Sequence, residues 1–481
     1  MKISTVIIIS ALILISAVLC VMTVRAIRLK APKNLSAGKR EPAPDEGAVE
    51  RFRTILRQKT VWNRDPSKTD LTPFEGFAEV VKNTYPRVYA AAQVTTVNRY
   101  GLVFRFPGKQ PALDPVILMA HYDVVPARED EWTYPPFGAE IHDGVVYARG
   151  AVDTKCIMCA VFEAMDRLLA EGFTTERDLY FISSNNEEIG GDTTPEMVKM
   201  FCDKGISPYM VLDEGGAVTD SLPLGVKTPF AMVGVSEKGV ADLKVKIKNA
   251  GGHSSAPSKN DSCAQLVTVL NRISAHPHKA YLTPEIRKML VSLAGHTGFL
   301  YRFIFANLNI FAPLVKRIMR SAPETNAMIS TTAALTMLNG SEQINVIPSE
   351  ASAGMSVRIS TRDTVESAIG HIKKVCRDTG AEFETEYSFE PSPVSNTDCE
   401  QFALIADTVK AAYPDADIAP YVMSGGTDSK HFAKVCSNVY RFAGLEFSAE
   451  ERASVHGKDE GLRVESFLRG IDFYTELIKR I

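Results

Sequence analysis

The sequence predicts an α/β fold: a mainly parallel sheet with helices on both faces, interrupted by a smaller α+β domain and preceded by an apolar helix. Short apolar runs at 115–120, 178–184 and 209–212 alternate with helical spacing at 155–170 and 195–204. That order is the one parallel strands and crossover helices require. From about 236 to 392 the order changes to β-α-β-β-α-β, the split βαβ or ferredoxin-like motif. Residues 3–24 are almost wholly apolar, and about 20 such residues cross a bilayer.

A chain of 481 residues exceeds a single ordinary domain. The net charge of −3 gives no reason to expect a nucleic-acid partner. The cysteines are scattered and form no dense disulfide framework. Cys156 and Cys159 make a C-x-x-C inside an apolar helical run. They read as helix packing, because no second cysteine pair lies nearby to complete a zinc or redox site.

Residues 1–30 read as a membrane anchor or a signal segment. The run is long for a signal peptide, and Val24-Arg-Ala26 is a poor cleavage site, so an uncleaved anchor is expected. Arg25, Arg28, Lys30, Lys33, Lys39 and Arg40 follow the run, which places the rest of the chain in the cytoplasm by the positive-inside rule. Long following domains escape that rule, so the side stays open. Residues 31–48 read as a solvated linker.

Folded sequence begins near 49, with helical spacing at 49–56 and 71–84 and a strand at 102–106. Residues 49–235 and 393–481 are expected to form the two parts of the large domain, with 236–392 inserted. Strict alternation at 242–248 marks a half-exposed strand. A helix at 264–275, strands at 332–338 and 350–359, a helix at 365–378 and a strand at 382–389 complete the inserted motif. Residues 277–325 are extra, and 299–306 and 310–319 within them are strongly apolar. Arg302, Asn307, Asn309 and Pro313 argue against a second span. The stretch reads as a packed helical cap, with a greasy wall for an acyl chain as the alternative.

Chemistry-bearing residues stand at the strand ends, where open α/β sheets bind ligands. The strand at 116–120 ends in His121 and Asp123. Residues two apart point the same way, so Asp123 can hold the far nitrogen of His121 and fix a metal-binding tautomer. Asp153, the pair Glu187 and Glu188, and Asp213 follow further strands, and His431 ends a glycine-containing loop. Two histidines with Asp and Glu carboxylates suit zinc. One carboxylate can bridge two ions, as in two-metal hydrolases. Adjacent residues cannot both face one ion, so the Glu187–Glu188 pair divides into base and ligand.

Five motifs stand in order: Ala120-His-Tyr-Asp-Val-Val-Pro126, Gly150-Ala-Val-Asp-Thr-Lys155, Asn186-Glu-Glu-Ile-Gly-Gly191, Gly251-Gly-His-Ser-Ser-Ala-Pro257 and Ser424-Gly-Gly-Thr-Asp-Ser-Lys-His431. From about residue 50 onward the chain resembles the di-zinc aminoacylase and carboxypeptidase family, and most of all its branch of Gly-X carboxypeptidases and N-fatty-acyl amino-acid hydrolases. The resemblance implies a zinc-peptidase-like catalytic domain with a lid and dimerisation domain inserted. It implies two Zn2+ ions, with Co2+ or Mn2+ as alternatives. His121 and Asp213 would bind one ion, Glu188 and His431 the other, and Asp153 would bridge them, followed by a cis peptide bond. Glu187 would be the general base and Asp123 the orienter of His121. His253 would stabilise the tetrahedral intermediate across a homodimer interface. Asn345 and Arg358 match substrate-contacting positions. Arg358 suits a free α-carboxylate, and a structural ion pair explains it equally well. Gly425, Gly426 and Thr427 would offer backbone donors to that carboxylate. Thr154 and Cys156 depart from the family pattern, and His456 and Glu460 resemble a family feature without an assigned role.

The expected activity is therefore hydrolysis of the amide bond of N-acyl amino acids or short peptides with a free carboxylate, by a membrane-tethered enzyme. An aminopeptidase would instead require a free amine. A non-catalytic binding protein on this fold would have no need to keep Glu187.

Overall fold

The computed structural model describes residues 3–31, 38–220, 222 and 225–481. Part of the linker expected at 31–48 lies outside the described residues. The first helix after it, Glu46–Leu56, begins where the Asp45 side chain accepts a hydrogen bond from the Ala48 N–H. That cap satisfies one of the helix's orphan donors.

The large sheet has eight strands, in the order Gln93–Val97, Gly101–Phe106, Leu179–Ser183, Val116–Met119, Met210–Thr219, Val439–Glu446, Phe230–Glu237 and Asp417–Met423. The four in the middle, from Leu179–Ser183 to Val439–Glu446, run parallel. Val116–Met119 and Leu179–Ser183 are buried at every position, as strands covered on both faces must be. Helices Lys155–Ala170 and Val464–Ile478 share one core on one face, where Phe52 stacks on Phe467 at 4.4 Å. Helix Thr193–Asp203 covers the other face through Met197, Val198 and Phe201. Cys156 and Cys159 are buried, unbridged and packed in the first of these cores, as the sequence leads one to expect. The C-terminal strand Val439–Glu446 lies between Met210–Thr219 and Phe230–Glu237, so the sheet closes only with the end of the chain.

A second sheet has the order Thr332–Asn339, Glu350–Ile359, Gly239–Lys248, Glu382–Phe389, with every pairing antiparallel. This is the ferredoxin-like arrangement read from the sequence. Ala241, Leu243, Val245 and Ile247 point into a core shared with helices Ser262–Ala275 and Val365–Val375, which explains the alternation.

The extra stretch forms helices Pro284–Ala294, Phe299–Ala306, Leu308–Met319 and Pro323–Ile329. They pack on strands Phe230–Glu237 and Asp417–Met423 at the edge of the large sheet, forming the expected helical cap. Helix Ile3–Arg28 is long and apolar enough to be a membrane anchor or a signal sequence, and only Met22 and Ala26 are buried along it.

Candidate active site

The carboxyl ends of the parallel strands converge on one cluster. His121 leaves strand Val116–Met119 buried, with Nδ1 2.9 Å from the backbone carbonyl of Asp123. The Asp123 carboxylate stands farther off, at 3.5 Å. Both the carbonyl and the carboxylate of Asp123 thus face His121 Nδ1, the carbonyl the nearer of the two. The carboxylate also accepts the backbone N–H groups of Glu187, at 3.2 Å, and Glu188, at 3.1 Å. It sets the turn that presents both glutamates.

Asp153 is followed by a cis peptide bond, and its two oxygens face different imidazoles. His121 Nε2 lies 3.0 Å from Oδ1, and His456 Nε2 lies 3.0 Å from Oδ2. Glu214 Oε1 comes within 3.5 Å of His121 Nε2. Glu188 Oε2 comes within 3.1 Å of His456 Nε2. The arrangement is a carboxylate between two half-sites, each holding one histidine and one glutamate. Two groups of potential ligand atoms emerge, His121 with Asp153 and Glu188, and His121 with Glu187 and Glu214.

Two residues expected in the ligand set stand elsewhere. Asp213 is buried, with its oxygens accepting the N–H groups of Glu214 and Ser429, both at 2.9 Å. Strand Met210–Thr219 runs on past it, so successive side chains alternate and Glu214 turns to His121 instead. Burial and the nearby Asp428 charge push the Asp213 carboxyl up to about 6. His431 packs edge-on against Phe389, with ring centroids 5.4 Å apart. Burial, with Lys430 and Lys434, pushes its imidazole down to about 4. His456 takes the place expected for His431. Sequence reasoning missed it because it lies in no strand end, although it stands in a feature that had matched a family without a role.

The electrostatics favour a cation. Burial, together with Asp428, Glu188 and Asp123, raises the Glu187 carboxyl well above its usual range. Glu214 is raised in the same way, by burial and then by Asp153, Glu187 and Asp213. Hydrogen bonds to Asp153 and Glu188 push the His456 imidazole up to about 10. Carboxylates crowded at this density repel one another, and a divalent ion relieves that repulsion. Imidazole nitrogen and carboxylate oxygen are donors that zinc, cobalt and manganese accept.

A buried clamp holds the two half-sites. Glu460 Oε1 accepts the N–H groups of Val152, at 2.8 Å, and Asp153, at 3.0 Å. Its Oε2 accepts Gly150 N–H at 3.0 Å and Arg149 Nη1 at 2.7 Å. Arg149 Nη2 donates to the Gly457 carbonyl at 2.8 Å. The loops carrying Asp153 and His456 are therefore fixed to each other. Glu460→Gln is expected to weaken metal affinity about 10–100-fold, the usual cost of losing a partner behind the ligands. Competition with a chelator on the folded variant checks this. Unchanged affinity would reduce Glu460 to a structural role.

A cleft of about 940 Å³ runs between the two sheets, lined by Glu187, Glu188, Arg64, Arg358, Gly426 and Lys430, among others. Among the described residues no ion pair engages Arg358. Gly426 reaches the cleft. Thr427 is buried with its N–H and Oγ1 both bonded to Glu237, at 2.9 and 2.8 Å, so the donor expected of it is already engaged, a correction to its expected role. Arg441, itself buried, donates to the same Glu237 at 2.6 Å and holds it in place. Gly425 is half-buried in the same loop. His253 and Asn345 stand exposed on a small hairpin formed with Val346–Ile347, outside the residues lining the cleft.

The sequence profile of Peptidase family M20/M25/M40 matches residues 117–480. The chain belongs to that family. This M20 chain is accordingly a hydrolytic metallopeptidase with candidate metal-binding residues around His121. It is 33% identical over 416 residues to a probable carboxypeptidase S-like 2 of Dictyostelium discoideum, covering 84% of this chain and 79% of that protein. It is 32% identical over 418 residues to the human N-fatty-acyl-amino acid synthase/hydrolase PM20D1, covering 86% and 83%. Among solved structures it resembles the M20 family metallo-carboxypeptidase Sso-CP2 from Sulfolobus solfataricus. There the TM-score is 0.67 at 16% identity, over 91% of this chain and 99% of that one. Human carnosine dipeptidase 1 gives a TM-score of 0.63 at 16% identity, over 90% of this chain and 96% of that one. The M20 fold accounts for both sheets.

Proposed function

We propose that this M20 peptidase cleaves the amide bond of N-acyl amino acids, or of short peptides, that keep a free α-carboxylate, and that it does so with two zinc ions. The observation that carries the metal count is Asp153, whose two oxygens face two separate histidine–glutamate half-sites. His121 and Glu214 would hold one ion, and His456 and Glu188 the other. When bound, the ions supply Lewis acidity to the scissile carbonyl and lower the pKa of water. Glu187 takes the proton from the attacking water and returns it to the leaving amine nitrogen. Asp123 keeps Glu187 in place through the backbone. Arg358, Lys430 and the Gly425–Gly426 backbone receive the substrate carboxylate. His253 stands exposed on its hairpin and is not among the residues lining the cleft, and would act on the cleft of a second copy. The apolar segment Ile3–Arg28 would stay attached as an anchor.

The 31–33% identity to N-fatty-acyl-amino acid synthase/hydrolases and carboxypeptidase S-like proteins supports this substrate class. The test is hydrolysis of acyl amino acids by the zinc-supplied chain, compared with the same compounds carrying a methylated carboxylate and with free-amine peptides. Preference for the free acid supports the reading. Cleavage confined to peptides with a free amine overturns it in favour of an aminopeptidase. Arg358→Met should raise KM for the free acid about 10–100-fold, the loss of a charge-assisted hydrogen bond of about 1.5–3 kcal/mol. Methylated substrates should be affected little. Equal effects on both would separate Arg358 from the carboxylate.

A further inference from the structure

The apolarity of residues 299–319 is not used by the site, since none of them lines the cleft between the sheets. One side of helices Phe299–Ala306 and Leu308–Met319 packs inward through Phe305, Leu308, Val315 and Met319. The other side faces outward. Leu300 is 67% exposed, Phe299 48%, Ile310 54%, Leu314 46% and Ile318 53%. Ile310, Leu314 and Ile318 recur every four residues and so form one stripe along their helix. A contiguous apolar face of this kind marks an interaction surface.

Its neighbour says what covers it. The last turns of helix Ile3–Arg28 lie against helix Phe299–Ala306. Met22 and Ala26 are the residues the span buries there. Asn307 Nδ2 donates to the Met22 carbonyl at 3.2 Å, and Ala31 N–H donates to the Gly295 carbonyl at 3.1 Å. Leu29 packs on the cap core. Counted from Ile3, about 20 residues cross the hydrocarbon layer, which brings the chain near Met22. The cap thus meets the span at the depth where it leaves the lipid. Arg25 and Arg28 in the last turns of the span are exposed, as are Tyr301 and Arg317 on the two cap helices, the residue types that favour the headgroup zone.

We propose that the outward face of these two cap helices is immersed in the lipid bilayer beside the N-terminal span, as an in-plane second contact. The proposal rests on the anchor reading of Ile3–Arg28. Immersion fixes the orientation of the catalytic part over the membrane, because a span joined by a rigid cap cannot swivel as a tethered domain does. The cap packs on strand Asp417–Met423, which leads directly into the Gly425–Gly426 loop at the cleft. A substrate with an acyl tail resting in the same leaflet would then have its polar head within reach of the cleft.

The test uses the full chain in nanodiscs of phosphatidylcholine and phosphatidylserine that carry a nitroxide on the acyl chain. An environment-sensitive fluorescent amino acid replaces Leu300 or Leu314, or Val267 as the control, an apolar residue on the inserted domain as exposed as Leu300. The nitroxide should quench the label at 300 and 314 at least about threefold more than at 267, and iodide in the water should do the reverse. Iodide quenching equal to that at 267 overturns the proposal. Protection from both quenchers overturns it as well, in favour of a protein partner or second copy. Intact mass of the recovered chain reads the anchor separately, and loss of the N-terminal helix overturns the proposal through that premise. Neither readout depends on hydrolysis, so failure of the substrate assignment leaves them interpretable.

Discussion

Replacing Glu187 with glutamine is expected to lower kcat about 10²–10⁴-fold, the contribution of a positioned general base, with the metal content unchanged. The turn that presents Glu187 is held by the backbone N–H groups of residues 187 and 188 on the Asp123 carboxylate, and the substitution touches neither bond. The side chain lies beside His121 and Glu214, while Asp153, Glu188 and His456 form their contacts without it. On the proposed reading, what is lost is the proton acceptor alone. Metal stoichiometry by elemental analysis and kcat on a blocked amino acid check the two halves of this statement. Activity within tenfold of the parent would remove Glu187 from the chemistry. Loss of metal together with activity would make it a ligand.

The second large effect separates two histidines. His456→Ala should lose both metal affinity and nearly all turnover, because it removes the nitrogen shared by Asp153 and Glu188 and opens one half-site. Truncating a ligand costs at least as much as losing the partner behind one, so the fall in affinity should exceed about 100-fold. His431→Ala should keep its metal, since its ring rests on Phe389. Its effect should be confined to the loop beside the cleft, and read mainly in KM. Chelator titration of both variants decides the matter. The reverse outcome would return His431 to the ligand set.

These two histidines also show where sequence reading succeeds and where it stops. A strand covered on both faces must be a run of apolar residues, so Val116–Met119 and Leu179–Ser183 were legible, and with them His121, Glu187 and Glu188 at their ends. The alternation from 242 to 248 likewise announced a sheet with one face on helices. The choice between Asp213 and Glu214 was not legible. It depends on where strand Met210–Thr219 ends, and a buried strand that runs on presents adjacent carboxylates to opposite sides. His456 resembled a family feature, but nothing in the pattern around it gave that feature a role. The histidine sits at a φ of 59° in a loop, a left-handed conformation that only the surrounding bonds determine. Thr427 failed for a similar reason, because the buried Glu237 that engages it comes from a strand nearly two hundred positions away. The strand Phe230–Glu237 itself was hidden at the expected domain boundary, where its apolar run merges into the next strand.

The position of Val439–Glu446 between two strands laid down more than two hundred residues earlier, with Glu460 tying the loop at 150–153, has a consequence for biosynthesis. A ribosome that has made the first four hundred residues has released nearly every acidic group of the centre, but neither the strand that seats them nor the imidazole of His456. The half-site formed by His456 and Glu188 is therefore complete only once the end of the chain has been made. A chain stopped before residue 439 would lack both that imidazole and the strand between Met210–Thr219 and Phe230–Glu237, and is expected to show no turnover.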